Sequence, residues 1–290
     1  MKAVEIRELL TRYGLRLHRD RGQNFLLGAA QAERLSELSG TGPADTVIEI
    51  GTGLGTLTRA LASRAKRVVT LEIDAGLVRV LREESLLPEP VELVHADALA
   101  VDLGSLIGGA DGPVRVVANL PYSAATPLLR RLLDLRSQLV DWSVMVQWEV
   151  GKRLLAAPGG ADYGSLNVLH RLCVEVEATA QLGGERFYPP ARIRSSFLRM
   201  TPRSPETLAP SDLGNVERLV RAAFNQRRKI LANSLGSFVP KEQGREISDV
   251  LGHHGIAPGD RPQTVAPEQW LALSRALRPS RLPDSGGAAC

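Results

Sequence analysis

The chain has few cysteines, few aromatic residues and no long apolar run. Only 2 of its 290 residues are cysteine. Cys173 and Cys290 lie far apart, the second in a loose terminal tail, so neither a disulfide framework nor a cysteine-based metal set is offered. A reducing compartment and no metal cofactor are the expectations. Aromatic residues make up 4% of the chain, which predicts a mainly aliphatic core packed in α/β layers. No apolar run approaches the roughly 18 residues that span a bilayer. The charged N-terminus also lacks the apolar centre of a signal peptide. These absences predict a cytoplasmic protein with no membrane partner. Internal repeats and low-complexity tracts are missing as well.

Charge is present on both sides of the balance. Lys and Arg number 36 against 32 Asp and Glu, a formal net charge of +4, and the pI is about 9.3. A mildly basic chain fits a polyanionic partner. Arginine far outnumbers lysine, and guanidinium suits bidentate phosphate contacts. A GC-rich genome produces the same bias, so the excess by itself assigns no partner. The length leaves room for a full α/β domain and a smaller appended one.

The most informative stretch is Val117-Ala118-Asn119-Leu120-Pro121-Tyr122. An apolar run from Val114 to Ala118 reads as a buried strand and ends in a polar and aromatic corner. In open α/β sheets such corners, at the C-terminal ends of parallel strands, hold ligands. The Asn119 side-chain oxygen and the Leu120 carbonyl can both accept from one exocyclic NH2, and Tyr122 offers a face for stacking. Adenine N6 fits that pattern. Its lone pair is delocalised into the ring, and two acceptors aimed at its hydrogens favour a pyramidal, nucleophilic nitrogen, an effect larger at the transition state than in the ground state. A plain strand-ending turn would use the same residue types, so the neighbours decide.

Upstream, Val4 to Tyr13 is helical in period and Gly14 can stop the helix. The basic run Arg16, His18, Arg19 and Arg21 leads into Gly22-Gln23-Asn24-Phe25-Leu26. It reads either as a solvated arm or as a phosphate contact beside residues closing over a cofactor. Val47 to Ile50 forms a short strand, Gly51-Thr52-Gly53-Leu54-Gly55 a tight turn, and Thr56 to Ala65 a helix. That order lets backbone approach a nucleotide-like ligand. Thr56 stands where a dinucleotide fingerprint has its third glycine, which disfavours a dehydrogenase.

A second strand, Arg67 to Ile73, carries Glu72 about twenty residues past the first glycine, where an acid accepts ribose hydroxyls. A third, Val91 to Val94, leads to Asp97, a candidate acceptor for an adenine amino group. Four strand ends therefore face one cleft. S-adenosylmethionine needs that set: backbone room for its methionine part, an acid for the ribose, a polar group for the adenine, and a nucleophile pocket beside the sulfonium.

Thr126 to Leu135 and a stretch from Gln147 to Ala156 read as helices, with Trp142 to Val146 a strand between them. Tyr163-Gly164 precedes a helix through Leu172. Glu175 to Gln181 and Ser196 to Met200 read as a closing hairpin, and its connection, Phe187-Tyr188-Pro189-Pro190-Ala191-Arg192, suits stacking an unpaired base and holding its phosphate. Thr201 to Pro205 marks a composition break. The expected division is a catalytic domain over 1–205, a helical domain over 206–282 and a disordered tail over 283–290. Helices are predicted at Leu213 to Phe224, up to Leu235, at Gly244 to Leu251 and at Pro267 to Leu277.

As a set these motifs resemble the small-subunit ribosomal RNA adenine N6-dimethyltransferases, relatives of the macrolide-resistance methyltransferases. The resemblance runs from Gly22-Gln23-Asn24-Phe25-Leu26 through Glu49-Ile50-Gly51, Asn119-Leu120-Pro121-Tyr122, Gln147-Trp148-Glu149-Val150 and Tyr163-Gly164 to Phe224-Asn225-Gln226-Arg227-Arg228-Lys229. It implies a Rossmann-like S-adenosylmethionine-dependent methyltransferase fold with a smaller all-helical C-terminal domain that binds RNA or the ribosome. It also implies a monomer acting on two neighbouring adenosines in a hairpin loop near the 3′ end of small-subunit rRNA, in the assembling subunit. Asn24, Leu26, Gly51, Glu72, Asp97 and Asn119 would line the cofactor site. Asn119, Leu120 and Tyr122 would hold the target adenine, with Phe187 stacked on its other side. Arg192, Arg227, Arg228 and Lys229 would contact RNA.

Several positions depart from the family pattern: Gly28 for an acid, Thr52 for a proline, Ser123-Ala124-Ala125 for Asn-Ile-Ser, Trp148 for a lysine, and Ala191 and Arg194 for a proline and an acid. Most lie toward the target side. Competing readings are a resistance-type enzyme acting on large-subunit rRNA and a non-catalytic RNA-binding assembly factor that has kept the fold. Intact Glu72, Asp97 and Asn119 speak against the second, and the extended helical C-terminal region against the first.

Overall fold

The computed structural model describes residues 1–17, 24–121, 124–204, 208–238 and 247–277. Most of the basic arm, Tyr122, Ser123, Pro205 and the 283–290 tail lie outside the described residues. The chain forms two compact units, one of Met1–Leu155 with Val174–Arg203 and one of Ala156–Cys173 with Ser204–Cys290.

The first unit opens with α1 (Ala3–Arg12), β1 (Phe25–Leu26) and α2 (Ala29–Leu38). Alternation follows: β2 (Thr46–Ile50), α3 (Thr56–Ala62), β3 (Arg67–Glu72), α4 (Ala75–Glu83), β4 (Val91–His95), α5 (Leu103–Gly108), β5 (Val114–Asn119), α6 (Ala125–Asp134), β6 (Asp141–Gln147) and α7 (Trp148–Leu155). After α8 (Ser165–Cys173) of the second unit come β7 (Val174–Leu182), β8 (Phe187–Tyr188) and β9 (Ser195–Pro202). The seven-stranded sheet runs β4-β3-β2-β5-β6-β9-β7. β4 through β6 are parallel, while β9 pairs antiparallel with both β6 and β7.

This order puts the reversal of chain direction between β2 and β5. From β2 the chain winds outward to β4, then returns to β5 on β2's other side. Their C-terminal ends diverge there, opening a crevice at the switch point. β2 is buried along its whole length, as a parallel strand covered on both faces requires. The crossover helices α4 and α6 bury one face each: Leu77, Val78, Val80 and Leu81 in α4, and Leu128, Leu129, Leu132 and Leu133 in α6. Asp74 caps α4, its carboxylate accepting from the Gly76 and Leu77 N–H groups. Helices α2, α4 and α5 were not among the sequence expectations, and α4 and α5 fill parallel crossovers that must have some covering element.

The second unit is helical: α8, α9 (Pro210–Asn225), α10 (Leu231–Leu235), α11 (Ile247–His253) and α12 (Pro267–Ala276). Phe224 packs between Tyr163 and Trp270, with ring centroids 6.1 and 6.0 Å away. The Tyr163 hydroxyl donates to the Val265 carbonyl at 2.7 Å. Residues 156–173 thus group with the C-terminal helices rather than with the 1–205 segment in which the sequence division put them. The reason is α8, whose side chains from Leu166 to His170 are all buried, and which packs on α9 and α12. A helix buried nearly all round must be covered on several sides.

Candidate active site

A cavity of about 330 Å³ opens at the switch point, and Asn24, Leu26, Gly51, Glu72, Asp97 and Asn119 all line it. Each arrives by its own local logic. Gly51 ends β2 with φ +88, and a Cβ there would lie 3.4 Å from the Asn119 carbonyl oxygen. The left-handed backbone leaves glycine the natural choice. The Gly51 and Thr52 N–H groups both donate to the Leu71 carbonyl, at 2.9 and 3.3 Å, tying the turn to β3.

Glu72 closes β3. Its Oε2 accepts from the Gly53 N–H and its Oε1 from the Asp74 N–H, each at 2.9 Å. Burial pushes this carboxyl above its ordinary value, while the two backbone donors pull it back. Asp97 is exposed. Its Oδ1 accepts from the Leu99 N–H at 2.8 Å, which orients the carboxylate without using all of its lone pairs.

Asn119 is held by a partner 95 positions away: its Nδ2 donates to the Asn24 carbonyl at 3.0 Å. A carbonyl neighbour identifies the nitrogen end of the amide, so Oδ1 is the end left to accept. The Asn24 segment reaches the site because β1 pairs antiparallel with β8, Leu26 opposite Phe187. Leu120 is buried and its N–H donates to the Met145 carbonyl at 3.2 Å. Pro121 and Ala124 continue the cavity wall.

Phe187 corrects an expectation. Only 1% exposed, it belongs to the core with Leu26, Val117, Met145 and Phe197. A ring packed on its neighbours presents no face to a base, and its role in this structure is to seat β1 beside the cavity. Arg192 is exposed on the first unit, and Arg227, Arg228 and Lys229 are exposed on the second. Arg227 donates to the Ala161 carbonyl at 2.5 Å.

The cavity also holds residues that the sequence reading did not single out. Ile73 and Leu99 are 53% and 42% exposed and line it. The signal was an apolar residue just past each acid, where the strand has already ended. One of the family departures, Thr52, has a visible side-chain partner. The Thr52 hydroxyl meets that of Thr70 at 2.7 Å, and the backbone N–H of Trp148 donates to the backbone carbonyl of Arg194 at 3.0 Å, a bond independent of either side chain. Gly28 has φ +82 at the N-terminus of α2, a backbone that an acid would strain.

Below the glycine turn lies Glu49, fully buried on β2. Its Oε2 accepts from the hydroxyls of Thr58 and Thr70, both at 2.6 Å. While Glu49 is ionised, Thr70 spends its proton on the carboxylate and Thr52 is then the donor to Thr70. Oε1 has no hydrogen-bond partner among the described residues. Burial raises this carboxyl from 4.5 to about 7, against the two threonine hydroxyls, with Glu72 adding to the rise and Arg59 opposing it. The raised value means the unfolded chain ionises first. Stability is therefore fully present below the unfolded value and is lost as pH rises through the folded one, by on the order of 3 kcal/mol. Glu49→Gln removes that loss. In urea titrations at pH 5.5 and 8, the variant should gain stability relative to wild type at the higher pH, and a constant difference would refute the assignment.

Comparison with known proteins decides which family built this cavity. Residues 14–278 match the family described as ribosomal RNA adenine dimethylase. The chain belongs to that family. Within it, the ribosomal RNA small subunit methyltransferase A of Moorella thermoacetica is 40% identical over 277 residues, covering 93% of this chain and 96% of that protein. The protein of the same name from Rhodospirillum rubrum is 38% identical, covering 94% and 92%. Among solved structures, a dimethyladenosine transferase from Plasmodium falciparum superposes with a TM-score of 0.71 at 22% identity, over 86% of this chain and 95% of that one, a likeness of fold. The 23S rRNA methyltransferase ErmE gives 0.64 at 27% identity, over 88% and 99%. This family member is accordingly an RNA adenine methyltransferase of Rossmann-like fold that uses a methyl donor of the S-adenosylmethionine type. No described helix is long and apolar enough to cross a membrane.

Proposed function

We propose that the protein dimethylates N6 of two adjacent adenosines in a hairpin loop near the 3′ end of small-subunit (16S) rRNA during ribosome biogenesis, using S-adenosylmethionine. The observation that carries this reading is the convergence of Glu72, Asp97 and Asn119 on one cavity, with the Asn119 nitrogen committed to Asn24. The residues present fit the donor. Glu72 suits the ribose hydroxyls, Asp97 the adenine amino group, the glycine turn the methionine end, and Ile73 and Leu99 the flat faces of the base. S-adenosylmethionine, when bound, supplies an electrophilic methyl group on a sulfonium.

The chain's own contribution is positioning and acceptance. Asn119 Oδ1 and the Leu120 carbonyl accept from the target N6–H groups, which localises the nitrogen lone pair at the transition state. Tyr122 supplies the stacking face. The target base leaves its loop to enter the cavity, as chemistry on a base edge requires. Arg192 on the first unit and Arg227, Arg228 and Lys229 on the helical unit serve as phosphate contacts. The helical unit is the RNA- or ribosome-binding part, the protein acts as a monomer on the assembling small subunit, and its location is cytoplasmic.

The names of the curated relatives above, from Moorella thermoacetica and Rhodospirillum rubrum, favour the small subunit over a resistance-type target. The test is methyl transfer from labelled S-adenosylmethionine to unmethylated small subunits, with large subunits in parallel and products resolved by mass after digestion. Dimethyladenosine in the small subunit is the expected product. Transfer confined to the large subunit would reassign the target, and cofactor binding without transfer to either would point to an assembly role.

A further inference from the structure

One side chain ties the two ends of the cavity together. Arg131, on α6, donates from Nη1 to the Ala98 carbonyl at 2.6 Å and from Nη2 to the Val101 carbonyl. Those carbonyls flank Leu99 in the turn that begins at Asp97. Within the turn, the Ala100 and Val101 N–H groups donate to the Asp97 carbonyl at 3.0 and 2.8 Å. The Leu99 N–H donates to the Asp97 side chain at 2.8 Å. Asp97, Ala98 and Leu99 all line the cavity.

The other end of the connection is α6 itself. It follows the Asn119 corner directly, and its residue Leu128, one helical turn before Arg131, also lines the cavity. Arg131 thus reaches from the helix that follows the target-side corner to the turn on the far wall. Its planar fork matches a pair of carbonyls, which a lysine ammonium could serve only one at a time. Ala98 is 7% exposed and its bond from Arg131 is part-buried, so loss of the fork leaves a partly buried acceptor without its donor, and the turn shifts to hydrate it.

We propose that Arg131 is a positioning residue that fixes the Asp97–Val101 turn and so sets the selectivity of the cavity for an adenine base on the methyl donor. The inference rests on the reading above, in which Asp97 accepts from the adenine amino group. A rigid turn holds the carboxylate where an amino group satisfies it and where the carbonyl oxygen of hypoxanthine repels it. A loosened turn lets the carboxylate swing away and blurs the distinction.

The experiment measures binding of S-adenosylhomocysteine and S-inosylhomocysteine to the full-length protein by calorimetry. Wild type should prefer the adenosyl compound by about 100-fold, the loss expected when a charged acceptor faces the wrong group. Arg131→Met should weaken the adenosyl compound about tenfold and leave the inosyl compound nearly unchanged, so that the preference shrinks about tenfold. Arg131→Lys should fall between and guards against a Met variant that does not fold. In an Asp97→Asn background, Arg131→Met should change the preference little, because both act through one carboxylate.

A variant that loses thermal stability while keeping the full wild-type preference makes Arg131 structural only and overturns the proposal. Wild type that binds S-adenosylhomocysteine without preferring it over the inosyl compound overturns the assignment of Asp97, and this proposal with it. Wild type that binds neither compound overturns the reading of the cavity itself.

Discussion

Asn119→Ala is expected to lower the single-turnover rate of adenine methylation by about 10²–10³-fold, the range seen when one preorganised transition-state partner is removed. The structure gives the reason for so large an effect from one amide. Nδ2 is engaged by the Asn24 carbonyl at 3.0 Å, so Oδ1 is held ready and costs no reorganisation as charge develops on N6. Asn119→Asp tests the polarity separately. A carboxylate would meet the Asn24 carbonyl with repulsion, displacing the acceptor that the reaction needs, and this variant should also be severely impaired. Methyl transfer to small ribosomal subunits at saturating cofactor is the measurement. A rate for Asn119→Ala within threefold of wild type would remove Asn119 from the chemistry and leave it as a strand cap.

Glu72→Gln is expected to raise the dissociation constant for S-adenosylmethionine by about 10²–10³-fold, the sum of lost charge-assisted bonds to the ribose. The substitution is nearly isosteric, yet both carboxylate oxygens already accept from backbone, Oε2 from Gly53 and Oε1 from Asp74. An amide must turn its NH2 toward one of those N–H groups. The side chain then either rotates away or displaces the glycine turn, and the ribose loses its acceptors in both cases. Calorimetric titration gives the affinity directly. The thermal stabilisation that the bound donor confers should shrink in parallel, because it depends on the ligand concentration relative to the dissociation constant. Binding within threefold of wild type would transfer the ribose to another residue.

These two side chains also mark the boundary between what the amino-acid sequence determines alone and what needs the folded chain. The strands that carry them are legible because the signals are local. Apolar runs end in glycine at residue 51, in an acid at Glu72 and in Asn119, and the observed strands β2, β3 and β5 stop within a residue of those points. The glycine turn and the family motifs follow the same short-range rules of backbone conformation and hydrophobic period. The family resemblance implies six cofactor-lining residues, and all six line one cavity.

What sequence order does not contain is the choice of partners across long separations. Nothing near Asn119 announces that its nitrogen faces Asn24, and nothing near Arg131 announces two carbonyls 33 and 30 positions earlier in the chain. Phe187 shows the converse. Its aromatic, proline-rich surroundings read as a surface for bases, while the β1–β8 pairing turns it into the core. Residues 156–173 likewise lie before the composition break, but α8 is covered by helices that come after it. In each case packing and hydrogen-bond satisfaction decided the outcome. A buried donor must find an acceptor and a buried ring must find neighbours, and which ones lie within reach is fixed only when the chain closes on itself.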